Sequence, residues 1–503
     1  MKLMPRTRGG ALARFGAGAV VVILFTAATT AVAGLMEFKN LAADLSKTPA
    51  LTHAAVIHAD PGSSQTILVI GSDHRAGTPW KAANTDTMML VRLNPNSSTI
   101  NVLSVPRDLE IQIPHVKGGG GFTGRINEAY SIGGPNLLIR ILRHQIFRGL
   151  VVNHIVDINF GGFRALVNAI GCVYSDIDHR YYNNTALTNY SSINIQPGYQ
   201  KLCGSKALAF VRFRHTDSDL VRTARQQDFV RWAKQQYSQS SLIANRDRLL
   251  RIFGSYTQTD HDLHTVDGLI NLFNLVVFMD GHTIKQIRFP ATYTPCLPAC
   301  YVTATAKAER KTFRLFMTPT RSQPSSSSSH PASQSSHHKP SRPGPPAVTP
   351  DPTDGRAQAR ALGHVGMPVY YPRVVATGSN YCFDDASNCY LEIPSPGSYP
   401  RRYSVGDRSG HSYRAYRMTL VLDPLLGQYY GIQGLQWQNP PILNNPSQTR
   451  TVNGKRLEIY LAGGKITLVA WHGPQGVYWV SNTLTQTLSN RQMITIAASF
   501  TKA

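Results

Sequence analysis

The chain has 503 residues, of which 42% are hydrophobic and 9% aromatic, and its formal net charge is +23 at pH 7. This length allows two or three domains, and the hydrophobic fraction excludes a chain that lacks packed cores. The large positive charge favours an anionic partner, such as nucleic acid, anionic lipid headgroups or a phosphate-rich polymer.

The amino-terminal segment indicates export. Four basic residues (Lys2, Arg6, Arg8 and Arg14) precede an apolar run at 15–36 that contains no charged residue. The length of this run suits one bilayer crossing, and the basic residues before it favour a cytoplasmic amino terminus. We therefore predict a single-pass protein of the cell membrane, with the membrane as a partner and most of the chain extracellular.

A cleaved signal peptide is the alternative to this signal-anchor, because Ala31-Val32-Ala33 is an acceptable cleavage site of small residues. Both interpretations export most of the chain, so nucleic acid is not expected as a partner.

An even number of cysteines in an exported chain favours disulfide bonds. The chain has six cysteines, and no histidine stands beside them at a zinc-finger spacing, so a thiolate-bound metal is not expected. Each predicted bond joins two cysteines of one segment: Cys172–Cys203, Cys296–Cys300 and Cys382–Cys389.

Short apolar runs bounded by polar turns predict the strands of a first domain, at residues 66–71, 88–93, 99–105, 154–159 and 283–289. Helical patterns alternate with them, at residues 127–147 (broken at Gly133-Gly134-Pro135), 162–170, 242–277 and 307–317. Residues 181–200 are polar and predict a long surface loop. This alternation indicates an α/β (α+β) sandwich in which helices flank a central mixed β-sheet.

A second, β-rich domain is predicted near the carboxyl terminus, with strands at 418–422, 457–461, 465–471 and 477–481, a hairpin turn at Gly463-Gly464 and a closing helix at 484–499. It shows no catalytic pattern, and its role is open. The predicted organisation is a cytoplasmic basic tail (1–14), a transmembrane anchor (15–36), a stalk (37–64), a catalytic α/β domain (65–317), a disordered linker rich in Pro, Ser and His (318–356) and the β-rich domain (357–503).

Four arginines lie close together at residues 207–227, namely Arg212, Arg214, Arg222 and Arg225. We predict a strand at 209–215, which places Arg212 and Arg214 on one face, and a helix at 220–237, which places Arg222 and Gln226 on one face. Guanidinium groups match phosphate oxygens in pairs, so a diphosphate is the natural ligand of such a group. A solvated basic face is the alternative interpretation.

Two carboxylates upstream are candidates for a metal site. Asp73 follows the first predicted strand, and Asp86 opens the next one. Two carboxylates together with substrate phosphates are a common way to hold Mg²⁺ in proteins. Each aspartate taken alone is more often the cap of a turn or a helix.

Six segments in order resemble the LytR-CpsA-Psr family of cell-wall glycopolymer transferases. The resemblance extends over residues 65–236, about a third of the chain, and each segment alone is weak. The segments are GSDHR at 71–75, TDTMMLV at 85–91, SVPRD at 104–108, RINEAY at 125–130, VDINFGGF at 156–163, and VRFRH with DLVRTARQQ between 211 and 227.

The resemblance implies a phosphotransferase that moves a glycopolymer from a polyprenyl-diphosphate carrier to a cell-wall acceptor, peptidoglycan or another wall glycan, through a phosphodiester. By motif position, Asp73 and Asp86 are the implied ligands of Mg²⁺ or Mn²⁺. The implied catalytic residues are Asp73, Arg107, Arg212, Arg214 and Arg222. The implied diphosphate contacts are Arg75, Arg107, Arg212, Arg214, Arg222, Arg225 and Gln226.

One position departs from the family pattern, because Asn84 stands where the family often has an arginine. The corresponding phosphate contact is absent or supplied by another residue, for which Arg75 is a candidate. An exported protein that binds polyprenyl diphosphate, or a pyrophosphatase without transfer activity, is the alternative function, since the same residues would serve it.

Overall fold

The computed structural model describes residues 39–51, 55–60, 62–73, 85–114, 120–185, 192–214, 216–293, 301–320, 347–384, 389 and 396–503. Its first part contains strands β1 (Gln65–Ser72), β2 (Thr85–Leu93), β3 (Thr99–Ser104), β4 (Glu110–Ile113), β5 (Phe122–Arg125), β6 (His154–Asn159), β7 (Val173–Ile177), β8 (Tyr181–Asn183), β9 (Ile193–Ile195), β10 (Gly198–Leu202), β11 (Thr257–Thr259), β12 (Thr283–Ile287), β13 (Thr292–Tyr293) and β14 (Val302–Thr303). Its helices are α1 (39–45), α2 (Ile126–Ile141), α3 (Phe160–Ala169), α4 (Gly204–Arg212), α5 (Asp219–Gln235), α6 (Gln239–Ala244), α7 (Arg246–Tyr256), α8 (Val266–Phe278) and α9 (Ala306–Met317).

The predicted single-pass localisation is corrected by the structure. Within the ranges just given, no helix combines the length and the apolar character that a membrane crossing requires. The predicted tail at 1–14 and the predicted anchor at 15–36 lie outside those ranges.

A mixed six-stranded sheet forms the centre of the first domain, in the order β11-β6-β1-β2-β3-β12. β1 pairs with β2 in antiparallel and with β6 in parallel orientation, and β3 pairs with β12 in parallel orientation. Because side chains alternate between the two faces, Leu68 and Ile70 of β1 face a core shared with α2 and α9, whereas Ile67 faces a core shared with α8. The predicted sandwich of helices around a mixed sheet is therefore confirmed.

The predicted strands of this sheet and the predicted break in the second helix are confirmed. In α2, Gly134 adopts φ +64°, outside the helical region, and Pro135 follows it. The predicted helix at 242–277 is wrong as one element, because α7 ends at Tyr256 and β11 adds an edge strand before α8 begins. The predicted loop at 181–200 instead contains a hairpin of β8 and β9 and the start of β10.

The elements of the second domain are β15 (Val348–Pro350), α10 (Pro352–Leu362), β16 (Tyr370–Pro372), β17 (Val374–Ala376), β18 (Asn380–Tyr381), β19 (Arg401–Gly406), β20 (Ser412–Asp423), β21 (Gln428–Leu435), β22 (Gln448–Val452), β23 (Lys455–Ala462), β24 (Lys465–Gly473), β25 (Gly476–Ser481), α11 (Asn490–Ala498) and β26 (Phe500–Lys502). The domain is built on an antiparallel sheet in the order β18-β20-β21-β25-β24-β23-β22, with β19 paired to β20. Gly463 and Gly464 both have positive φ, at 60° and 85°, and form the predicted turn between β23 and β24. The closing helix α11 begins later than predicted, after the capping box of Ser489.

The two domains share a hydrophobic core, although their sheets are separate. Tyr199 and Phe210 of the first domain belong to the same buried cluster as Leu435 and Trp479 of the second. The rings of Tyr199 and Trp479 meet edge to face, with 5.7 Å between their centroids. A contact of this kind favours a fixed arrangement of the two domains, since mobile domains usually meet through small and polar surfaces.

Two of the predicted disulfides are confirmed, Cys172–Cys203 and Cys382–Cys389. The predicted bond Cys296–Cys300 lies outside the described residues. Cys203 is the residue that precedes α4, so its bond to Cys172 fixes the start of that helix beside β7. The domain boundaries, including the linker at 318–356, stay predictions.

Glu309, in the first turn of α9, is a buried carboxyl whose pKa is raised by burial from 4.5 to about 7. The folded protein therefore keeps this proton between pH 4.5 and about 7, where the unfolded chain loses it, and the free energy of unfolding falls as pH rises through this window. We expect Glu309→Gln to remove this slope and to raise the free energy of unfolding at pH 8 by about 2 kcal/mol. Urea unfolding of wild type and variant at pH 5 and pH 8 measures both effects, with the exposed Glu110→Gln as the control that keeps the slope.

Candidate functional site

The two candidate metal ligands lie at one end of the central strands β1 and β2. In the antiparallel pair of β1 and β2, Gly71 faces Thr87 and Ser72 faces Thr85, so Asp86 is the extra residue of a β-bulge. Asp73 directly follows β1 and therefore lies at the same end of this strand pair. Among the predicted site residues, Arg75 lies outside the described residues, as does Asn84.

The segment that carries Arg212 is a helix, so the predicted strand at 209–215 is wrong. Ala207, Phe210 and Val211 are buried, and their spacing of three and four residues is that of one helix face. The alternation of apolar and basic residues in this short run is compatible with a strand as well, and the apolar contacts of α4 decide the outcome. The predicted helix at 220–237 is confirmed as α5.

Asp86 binds two guanidinium groups. Nη1 of Arg107 lies 2.6 Å from one carboxylate oxygen of Asp86, and Nε of Arg212 lies 3.1 Å from the other. Arg212 also lies over the ring of Phe160, with its Cζ 3.9 Å from the ring centroid. Arg107 and Arg212 are therefore brought together by one carboxylate, although they are 105 positions apart in the chain.

Asp108 forms a second centre beside the first. Nη2 of Arg214 donates to Asp108 at 2.5 Å, and Nε atoms of Arg107 and Arg125 lie 3.7 Å from the other oxygen. Burial raises the pKa of the Asp108 carboxyl, and the nearby Asp219 carboxylate raises it further, while the neighbouring arginines oppose this rise.

Arg222 lies behind these two centres. Its side chain is only 3% exposed and pairs with Asp219, and Asp219 also accepts a hydrogen bond of 2.8 Å from the backbone N–H of Arg107. Burial lowers the pKa of the Arg222 guanidinium, and the Asp219 carboxylate acts in the opposite direction. Arg222 therefore balances the charge of Asp219, and Asp219 fixes the backbone at Arg107.

Arg225 and Gln226 are buried in the contact between α4 and α5. Arg225 donates to the carbonyl oxygens of Phe210 and Phe213, at 3.1 and 2.8 Å, and pairs with Asp217. Gln226 donates to the carbonyl oxygen of Val211 at 3.1 Å. These bonds hold the end of α4 in place, and a contact of either side chain with diphosphate stays a prediction.

A buried network supports the end of β1. Ser72, the residue before Asp73, donates to Asp157 at 2.7 Å, and the hydroxyl of Tyr130 donates to the other oxygen of the same carboxylate. Burial and the Asp157 carboxylate together raise the pKa of Tyr130 far above its usual range, so its hydroxyl stays protonated as the donor. Asp157 therefore fixes the backbone from which Asp73 projects.

The site presents more positive than negative charge to solvent. The side chains of Arg107, Arg212 and Arg214 are 20%, 35% and 34% exposed, whereas those of Asp86 and Asp108 are 15% and 9% exposed. Such guanidinium groups can bind a multiply charged anion through paired hydrogen bonds. Arg125 belongs to this group as well. Arg125 was not among the predicted site residues, although it opens one of the six matching segments.

The donors near Asp73 are compatible with a magnesium site that is completed by the substrate. Among the residues that the structure describes, no group of three or more His, Cys, Asp or Glu side chains could hold a metal ion. Asp73 and Asp86 supply carboxylate oxygens at neighbouring strand ends, and Mg²⁺ accepts two carboxylates when phosphate oxygens and water complete its shell.

The fold and the site together define an α/β domain with a cluster of arginines and aspartates at one end of its central strands. The LytR_cpsA_psr family model matches residues 29–313, more than half of the chain, and the chain belongs to this family. The resemblance drawn from the six segments is therefore confirmed.

Two similar proteins are named as teichoic acid transferases. The chain is 31% identical over 239 residues to the polyisoprenyl-teichoic acid–peptidoglycan teichoic acid transferase TagU of Oceanobacillus iheyensis. The aligned region covers 44% of this chain and 69% of that relative. It is 32% identical over 209 residues to the TagU of Halalkalibacterium halodurans, covering 41% of this chain and 63% of that relative. Among solved structures, TagT bound to LIIa-WTA is similar over 54% of this chain and 98% of that one, with 21% identity and a TM-score of 0.40.

Proposed function

We propose that this protein is a phosphotransferase that moves a glycopolymer from a polyprenyl-diphosphate carrier to a cell-wall acceptor, peptidoglycan or another wall glycan. The observation that carries the proposal is an ion-paired cluster at one end of the central strands. Arg107 and Arg212 converge on Asp86 there, and Arg214 pairs with Asp108 beside them. The family membership and the similarity to two teichoic acid transferases support the same class of reaction.

In the proposed reaction, the arginines bind the two phosphates of the carrier. A hydroxyl of the acceptor glycan attacks the phosphorus next to the glycopolymer, the bond from this phosphorus to the bridging oxygen breaks, and polyprenyl phosphate leaves. The hydroxyl proton passes to a carboxylate, for which Asp73 and Asp108 are the candidates. The fixed guanidinium groups stabilise the negative charge that develops in the transition state.

Mg²⁺ or Mn²⁺ held by Asp73 and Asp86 would neutralise part of the diphosphate charge when bound. Both oxygens of Asp86 are engaged by arginines in the structure, so the diphosphate and the carboxylate compete for the same guanidinium groups. We propose that diphosphate binding frees the Asp86 carboxylate from the arginines, so that with Asp73 it would be available to hold the metal.

This competition predicts that metal affinity depends on the anion. We expect Mn²⁺ to bind at least about tenfold more tightly in the presence of a soluble prenyl diphosphate than in its absence, a coupling of about 1.4 kcal/mol. Titration of Mn²⁺ followed by electron paramagnetic resonance measures both affinities, and an Asp86→Asn variant should lose the difference. Equal affinities with and without the diphosphate would contradict the proposed release of Asp86.

The identity of the product separates transfer from the alternative. The protein is incubated with a polyprenyl-diphosphate-linked glycan, peptidoglycan fragments and Mg²⁺, and the products are separated by mass. Transfer gives a glycan joined to the acceptor by one phosphate, together with polyprenyl phosphate. A pyrophosphatase would give free glycan phosphate with or without acceptor, and a binding protein would give no product.

A further inference from the structure

The second domain contacts the arginine loop, defined as residues 213, 214 and 216–218, through a chain of aromatic side chains. Tyr429 of β21 stacks on His179 of the first domain, with 4.2 Å between ring centroids and 19° between ring planes. His179 in turn lies 4.3 Å from the ring of Tyr181. Tyr429, His179 and Tyr181 are all buried, so this contact between the domains excludes water.

Tyr181 continues the chain to the arginine loop. Its ring meets those of Phe210 and Phe213 edge to face, at 5.1 and 5.0 Å, and the Cζ of Arg225 lies 4.5 Å from its centroid. Its hydroxyl donates to Asp178 at 2.6 Å, which fixes the orientation of the ring. The first residue of the arginine loop is therefore held by Tyr181 on one side and by the Arg225 hydrogen bond on the other.

A turn of the second domain touches the same region from another direction. Gly427 follows β20 in the hairpin to β21 and has φ +60°. A Cβ at this position would lie 3.0 Å from Val221 and 3.6 Å from the carboxylate of Asp217. Asp217 closes the arginine loop, and Val221 precedes Arg222, so the turn packs against the end of the loop and the start of α5.

We propose that the second domain is a positioning part of the diphosphate site, and that Tyr429 holds the arginine loop through His179 and Tyr181. This inference rests on the proposed function for its consequence, which is the placement of Arg212 and Arg214 around the diphosphate. Tyr429 is a positioning residue, because it contacts the loop only through other side chains.

The physical reason is the cost of ordering long side chains and their backbone. Arg212 ends α4 and Arg214 lies in the loop, and their described ion pairs with Asp86 and Asp108 are those that the diphosphate must displace. Contacts other than these ion pairs therefore have to keep the loop in place when the diphosphate displaces the two carboxylates. Electrostatic stabilisation of a transition state requires donors that are fixed in advance, and a displacement of about 1 Å can cost about 100-fold in rate.

The test compares neighbouring tyrosines of one strand in the full chain. Tyr429→Leu removes the stacked ring, Tyr429→Phe keeps it, and Tyr430→Leu removes an equally buried ring that serves the second domain's own core, where its hydroxyl binds Ser379. We expect Tyr429→Leu to lower kcat for transfer about tenfold or more and to weaken binding of a prenyl diphosphate, while Tyr429→Phe behaves as wild type. Tyr430→Leu is expected to lower the melting temperature without a change in KM or in diphosphate affinity.

Hydrogen exchange of the backbone amides at 213–222 separates this inference from the proposed function. Faster exchange in Tyr429→Leu, but not in Tyr429→Phe or Tyr430→Leu, supports the positioning role even if the wild type neither binds diphosphate nor transfers glycan, in which case only the proposed function fails. Unchanged exchange in a folded Tyr429→Leu variant, or the same increase in Tyr430→Leu, would overturn the inference.

Discussion

Replacement of Arg212 and Arg214 together by glutamine is expected to lower kcat/KM for glycopolymer transfer by about 1000-fold or more. Each guanidinium supplies charge-assisted hydrogen bonds to the diphosphate, and removal of one such donor from a site of this kind costs about 100- to 1000-fold. The free energy of unfolding should change by less than about 1 kcal/mol, because both arginine side chains are about one third exposed. Arg107 stays beside Asp86 and Arg125 beside Asp108, so neither carboxylate loses all of its cationic neighbours.

The control for this variant carries the same change of charge elsewhere. Arg140 and Arg148 are exposed at the end of α2 and just beyond it, and their double replacement by glutamine should leave the transfer rate unchanged. Rates are measured with a polyprenyl-diphosphate-linked glycan and peptidoglycan fragments, and folding is checked by circular dichroism. Transfer by the Arg212→Gln, Arg214→Gln variant within about tenfold of the wild-type rate would remove the arginine site from the mechanism.

Replacement of Arg417 by methionine is expected to lower the free energy of unfolding by about 3–5 kcal/mol, the largest effect on stability that the structure predicts. Arg417, in β20, is fully buried and pairs at 2.8 Å with Asp176 of the first domain, which also accepts a hydrogen bond from Trp479. The single change leaves the Asp176 carboxylate buried at the domain interface without its main partner.

A second change tests whether the unpaired charge causes this loss. Asp176→Leu combined with Arg417→Met removes both charges, and it should recover most of the stability, because apolar replacements of a buried ion pair are often neutral or stabilising. Urea unfolding of wild type, of the single variants Arg417→Met and Asp176→Leu, and of the double variant gives the interaction energy of the pair. A loss below about 1 kcal/mol in Arg417→Met would contradict the fixed interface between the domains.

The central sheet could be predicted because its strands are short apolar runs that end in turn residues. Both faces of β1 and β3 are largely buried, and apolar residues fill the middle of β1 at 67–70 and alternate with polar ones in β3. The helix α5 could be predicted because a polar cap, Ser218, precedes a long run without glycine or proline. The disulfides followed from an even cysteine count and from pairs that lie within one segment.

The secondary structure of the arginine segment could not be predicted, because a run of seven residues fits both the two-residue period of a strand and the 3.6-residue period of a helix. Its alternation predicted that Arg212 and Arg214 share one face of a strand, whereas they leave the end of α4 and the following loop toward different aspartates. The site still forms, because Asp86 pairs with Arg212 and Asp108 pairs with Arg214.

No local sequence pattern indicates that the second domain packs against the site. Asp176 and Arg417 are 241 positions apart, and the polar segment between the domains predicted independent units. Only the arrangement of both domains shows that Gly427 lies against the start of α5, and that Tyr429 reaches the arginine loop through His179 and Tyr181. For the same reason, the burial of Arg225 and Gln226 could not be read from a pattern that places them beside Arg222.

Calorimetric titration of the full chain with a polyprenyl diphosphate and Mg²⁺ tests the central claim most directly. We predict saturable binding by the wild type and a loss of affinity of about 100-fold or more in the Arg212→Gln, Arg214→Gln variant, with wild-type affinity in the Arg140→Gln, Arg148→Gln control. Absence of binding by the folded wild type, or equal affinity in the arginine variant, would contradict the assignment of the diphosphate to this site.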